Sequence, residues 1–309
     1  MHSGPPRILG AGRFASGLER LGAGDAALRS AQVVAFERIV VLVIGVEYWC
    51  RGLARWNDLS TAYLASLGAA TALCLTALLT SWRSFSRAAP GRRAAFAALA
   101  AIHLFVLWNE FPAAGNHAYL EVMLLALTAF LDPRVATDRV LYVAAGRWLA
   151  IVILFYSGLQ KLAHGYYFHA EYFAFSLWIE SFRTVFQWLL PAEEYARLTA
   201  FTGQPGDGPY AVRGPLVVAI ANLTWIAEMA LAPALLWRRT RPFAVAAAVA
   251  LIVAIELAAR EAFFGLLYVN LILLFLERPW HSKLVAPVAA LLALMLFVRI
   301  GWLPAVVFY

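Results

Sequence analysis

Charge is scarce in this chain: 14% of its 309 residues are Asp, Glu, Lys or Arg, while 63% are hydrophobic. With a mean hydropathy of +0.73, that composition excludes an ordinary soluble domain. Cysteine is nearly absent. Cys50 and Cys74 fall in separate apolar stretches, which excludes a disulfide framework or a thiolate zinc motif and leaves the redox compartment unread. Six histidines are scattered along the chain, too dispersed for the histidine boxes of a diiron hydroxylase, so no metal is expected. No basic run with interleaved aromatics appears, and the net charge of +7 therefore does not point to nucleic acid. The first 30 residues hold no continuous apolar core, which argues against a cleaved signal peptide. There is no internal repeat.

What is present is a series of apolar runs. A helix needs about 20 apolar residues to cross a hydrocarbon core of roughly 30 Å. Runs of this kind occupy 31–50, 59–80, 94–111, 117–131, 140–163, 216–237, 242–259, 261–276 and 284–304. The fourth and eighth are short, and are expected to extend into their loops. The sequence thus predicts an all-α, polytopic integral membrane bundle of about nine transmembrane helices. A cytoplasmic segment, 1–30, precedes a single transmembrane domain over 31–309.

Arginine placement sets the orientation. One loop holds Arg83, Arg87, Arg92 and Arg93 without an acid, another holds Arg238, Arg239 and Arg241, and both are expected in the cytoplasm. Counting outward from each puts the amino terminus inside, the carboxyl terminus outside and 164–215 in one outer loop. The stretch EYFAFSLWIESFRTVFQWLL at 171–190, interrupted by Glu180 and Arg183, then lies in the interface or re-enters rather than spanning. The turn-rich remainder of that loop is expected to act as a lid.

Ionisable residues inside spans are functional candidates by default, with structural pairing as the ordinary alternative. Glu37, Arg38, Arg147 and Glu228 lie toward the inner helix ends and are expected to form a structural ion-pair cluster. A second set lies at outer helix ends: Asn109, Glu110, Asn116, His117, Lys161, His164, Glu256 and Arg260. Ser157, Gln160, Lys161 and His164 stand three or four residues apart and share one helix face. His117 with Glu121, and Glu256 with Arg260, make similar pairs. Lys161 alone reads as a side chain snorkelling to the interface. In company with the other outer polar groups it becomes a candidate general base in a dry pocket. His103 reads as a satisfied core histidine.

GNHAYLEVMLLALTAFLD at 115–132 and FYSGLQKL at 155–162 resemble the transmembrane region of the vitamin K-dependent gamma-carboxylases, shared with bacterial proteins of the horizontally transferred transmembrane (HTTM) family. The resemblance implies that Lys161 is the base deprotonating reduced vitamin K or another quinol. It also implies that Asn116 and His117 line the same site. The residues themselves, not the resemblance, add Tyr119, Ser157, Gln160 and His164 about the cofactor, with Glu256 and Arg260 as a polar wall. The resemblance further implies a bacterial inner membrane, contact with membrane lipid, and a lyase or oxidoreductase activity. Gln160 stands where the carboxylases carry a second lysine, and AHGYY replaces the acidic residues after their motif. The large outer domain of the carboxylases has no counterpart here, which implies a separate outer-domain protein as partner. The rival expectations are a non-enzymatic lipid- or quinone-binding scaffold and a transporter.

Overall fold

The computed structural model describes residues 30–54, 65–74, 76, 90–111, 116–177, 180–200, 211–259, 261–276, 280–300 and 302. Among these residues every regular element is helical: α1 (Ser30–Ala54), α2 (Ala65–Cys74), α3 (Pro90–Glu110), α4 (Asn116–Phe130), α5 (Ala136–His164), α6 (Glu171–Ser176), α7 (Glu180–Leu189), α8 (Ala192–Thr199), α9 (Pro215–Ala234), α10 (Arg241–Ala259), α11 (Ala262–Ile272) and α12 (Trp280–Arg299). A 3-10 turn, Leu273–Phe275, continues α11.

Five of these, α3, α5, α9, α10 and α12, are long and apolar enough to cross a membrane. α1 has the length, but Glu37, Arg38, Glu47 and Arg51 interrupt its apolar run. α4, with 15 residues, is about 22 Å long at 1.5 Å per residue, short of a full crossing. On its carboxyl side the helix does not extend into the following loop, because the chain turns after Phe130; residues 112–115 before it lie outside the described residues. The 171–190 stretch is likewise two short helices, α6 and α7, and neither has the length of a span.

The chain divides into two compact units, and α5 passes from one into the other after Trp148. In the first, α1 packs along α12 and α3 along α4. Phe36, Ile39, Ile44, Phe96, Leu99, Leu120, Leu124 and Leu125 fill its core. Glu37 accepts two hydrogen bonds from Arg92, at 2.9 and 2.6 Å, and Arg92 Nη1 donates to the Thr128 carbonyl at 3.2 Å. Thr128 Oγ1 pairs with the buried Tyr142 hydroxyl. Two acids of the expected ion-pair cluster of Glu37, Arg38, Arg147 and Glu228 have other partners: Glu37 takes Arg92, a residue expected in a cytoplasmic loop, and Glu228 takes Lys161.

In the second unit, α5 ends where Gly165 adopts φ +74° and donates its N–H to the Lys161 carbonyl, a left-handed glycine stop. The following segment packs as a cap: Tyr167, Ala170, Ala174, Leu177, Phe182 and Phe186 share one apolar core with Val217 and Ala221 of α9. Asn222, on the next turn of α9, donates to the Phe168 carbonyl and receives the Trp225 indole N–H. A polar side chain on an apolar helix thereby ties the loop after α5 to α9. Residues 201–210 of the expected lid lie outside the described residues.

Candidate functional site

The site grows from one face of α5, on which Leu154, Ser157, Gly158 and Lys161 recur at helical spacing. Gly158 is the position that makes it. A Cβ there would stand 2.8 Å from the Trp225 carbonyl oxygen, 2.7 Å from Met229 Cγ and 3.1 Å from Glu228 Cβ, so glycine lets α5 and α9 approach backbone to backbone. On either side of that approach, Ser157 and Lys161 meet Glu228. Lys161 Nζ donates to both Glu228 carboxylate oxygens, at 2.9 and 2.8 Å, and to Ser157 Oγ at 2.6 Å. Ser157 Oγ itself lies 3.2 Å from Glu228 Oε1. The Lys161 side chain is 14% exposed and that of Glu228 5%. The Tyr167 ring, on the cap, lies 5.4 Å from the amine, within cation–π range.

An ammonium has three N–H donors, and here all three have an oxygen. The arrangement suits a charged lysine beside a carboxylate. The sequence placed this amine among polar groups of the outer helix ends; its oxygen partners here are Ser157 on its own helix and Glu228 on α9.

Behind Glu228 is a cavity of about 40 Å³ lined by α5, α9, α10 and α11, with Ser157, Glu228, Glu256 and Tyr268 as its polar members. A water needs roughly 10–15 Å³ of such space, so this one suits two or three waters and is far below the roughly 300–1,000 Å³ of drug-sized ligand pockets. Tyr268 donates its hydroxyl to the Ala150 carbonyl at 2.8 Å. Gly265 leaves room for Glu256, whose Cγ would be 2.5 Å from a Cβ there.

Of the residues expected at a site, the structure brings Lys161 and Ser157 together, and places Ser157 with Glu256 around one cavity. Gln160 and His164 are exposed, His164 stacking on Tyr166. Tyr119 is exposed on α4 in the first unit. The side chains of Asn116 and His117, and Arg260 altogether, lie outside the described residues. Glu121 pairs with His103 at 2.9 Å. Among the described residues, no group of three His, Cys, Asp or Glu side chains gathers in metal-holding geometry.

Sequence reasoning missed Glu228, Gly158, Tyr167 and Asn222. Counting from helix ends put Glu228 and Lys161 at opposite membrane faces, whereas the structure pairs them, and the cap packs on Val217 and Ala221 in the first turns of α9. Lys161 consequently meets α9 13 residues past Pro215, about 20 Å along the helix. One signal was available. The chain has only two lysines, Lys161 and Lys283, among 25 basic residues, and lysine is the base that exchanges its proton where arginine does not.

No family model, no curated protein and no solved structure matches the chain.

Proposed function

We propose that this is a nine-span membrane protein, amino terminus inside, that binds a quinol-class ligand at the Lys161–Glu228 pair and takes up its hydroxyl proton. The observation that carries the reading is the pair itself: a lysine and a glutamate from two membrane helices, hydrogen-bonded directly and also bridged by Ser157, with Lys161 still 14% open at the end of α5 beside the Tyr167 ring. Lys161 matches the base position of the resembled family, and Glu228 modifies what that base does. The hydroxyl proton passes to the Glu228 carboxylate, and the resulting aryl oxyanion takes the carboxylate's place beside the Lys161 ammonium. Charge is conserved, and neither ion is left alone in a dry site. The ring approaches from the exposed Gln160 and His164 side of α5, since the cavity behind Glu228 is too small for it.

The test uses the full chain in lipid nanodiscs with a reduced short-tailed naphthoquinone. Lys161→Ala and Glu228→Gln are each expected to slow oxygen-dependent quinol oxidation by about a hundred- to ten-thousandfold, the usual worth of a positioned acid or base. Unchanged turnover in either variant rejects the assignment.

A second reading rests on the saturation of the ammonium. With all three donors filled, Lys161 and Glu228 also suit a clasp joining α5 to α9 in a non-enzymatic scaffold. In that case both variants lose stability, and the wild type neither binds nor turns over quinol.

A further inference from the structure

The first unit carries a separate buried constellation. α1, α3 and α4 each bring one side chain to a common point. The Tyr48 hydroxyl hydrogen-bonds His103 Nδ1, and His103 Nε2 lies 2.9 Å from Glu121 Oε2. None of the three is more than 2% exposed. We propose that Tyr48, His103 and Glu121 form an intramembrane proton-binding site, with the His103 ring as the group that loads and unloads the proton.

An imidazole in contact at both nitrogens has a defined arrangement for each charge state. When neutral, it keeps its hydrogen on Nε2, facing the carboxylate, and Nδ1 accepts from the Tyr48 hydroxyl. When a proton arrives it binds Nδ1, the Tyr48 oxygen becomes the acceptor, and the hydroxyl hydrogen rotates away. Only hydrogens move. Both states keep Glu121 Oε2 at 2.9 Å from Nε2 as an ion-pair contact, so the site changes by one positive charge without repacking three helices. A tyrosine hydroxyl suits this position because it both donates and accepts.

The other polar network of this unit cannot work this way. Arg92 stands 11 residues before His103, about 16 Å along α3, and its guanidinium does not release a proton. It holds Glu37 as a fixed pair. Among the described residues, the titratable groups near the triad include Glu47, buried on α1 one residue before Tyr48, and Cys74 of α2, which packs on Gly45. His281, on α12, meets Phe36, about 18 Å along α1 from Tyr48.

The experiment places the full chain, with ¹⁵N-labelled histidine, in nanodiscs and follows the ring nitrogens by NMR from about pH 5 to pH 9, the range in which histidine titrates. His103→Gln identifies the signals. Tyr48→Phe identifies the same ring by a moved Nδ1 signal should the first variant fail to fold. The expected result is a single hydrogen on Nε2 at the alkaline end and hydrogens on both nitrogens at the acid end. Glu121→Gln is expected to weaken proton binding tenfold or more, the scale of losing an opposite charge at contact. A His103 ring that holds one protonation state throughout overturns the proposal. So does one that titrates identically in Glu121→Gln.

Discussion

Gly158 and Trp225 meet so closely that a methyl group on the first would lie 2.8 Å from the carbonyl oxygen of the second. Met229, a second near neighbour, is flexible and can yield, but a helix carbonyl cannot. Gly158→Ala must therefore push α5 from α9, and overpacking of this kind costs about 1–3 kcal/mol. A lowered melting temperature in detergent is expected. The control is Gly68→Ala in α2, where the new methyl meets nothing within 4 Å and helix propensity favours alanine by about 1 kcal/mol. Equal melting of Gly158→Ala and wild type contradicts the close approach.

Lys161 and Glu228 are tied to each other more than to anything around them. Lys161→Met or Glu228→Gln alone removes one partner and leaves the other in a site that is 5–14% exposed. Breaking a fully buried pair costs about 3–5 kcal/mol, and the partial opening at Lys161 sets the expectation at the lower end. Replacing both, by Lys161→Met with Glu228→Leu, is expected to recover most of that loss, because no ion then lacks a partner. Thermal melts of the four proteins give the coupling, and quinol binding measured on the same samples separates clasp from chemistry. A double variant that regains stability and still binds quinol removes the ionic site from the mechanism.

Hydropathy placed the long spans well because their signal is local. The runs at 140–163 and 242–259 became Ala136–His164 and Arg241–Ala259, and the glycine stop at Gly165 and the proline start at Pro215 are written in the residues themselves. What the chain did not disclose is vertical register between helices. Glu228 appeared to belong to the inner face because the depth at which α5 stops beside α9 is set by how the 166–190 cap packs. Arg92 appeared to be a loop arginine because its acid, Glu37, is 55 residues away in sequence. Lys161 and Ser157 were found since they share one helix face. Their carboxylate partner sits on another helix and leaves no trace in spacing.

Glu194 gives the cap a dependence on acid. Hydrogen bonds from the Arg197 guanidinium, at 2.8 and 2.7 Å, hold its carboxyl down to about 2 against the opposing effect of burial, with further support from the Arg213 backbone N–H at 2.7 Å. A carboxyl held below its unfolded value, about 4.3, contributes stability above that value and loses it as pH falls toward about 2. Proteolysis of the segment following α8 is therefore expected to accelerate between about pH 4 and pH 2 in the wild type. Glu194→Gln should be cut faster at neutral pH and show no further change across that window. A wild-type rate that is flat there contradicts the pairing.

Arg92 and Arg93 are neighbours with opposite fates, and they provide the sharpest test of how the first unit is held together. The Arg92 side chain is 1% exposed and bidentate on Glu37, with its guanidinium 5.0 Å from the Phe96 ring, whereas Arg93 is 51% exposed and reaches only Asp138 at 2.9 Å. Both would be counted alike as topology-setting charges. Removing Arg92 leaves Glu37 buried without its fork of donors, so Arg92→Ala is expected to cost about 3–5 kcal/mol. Arg92→Lys should recover only part of it, because an ammonium does not reproduce the planar fork. Arg93→Ala breaks an exposed pair worth roughly 0–1 kcal/mol. The order Arg92→Ala, Arg92→Lys, Arg93→Ala in falling loss of melting temperature is the expected outcome, and an Arg93 effect as large as that of Arg92 would mean that the Glu37 pair does not hold α3 against α1.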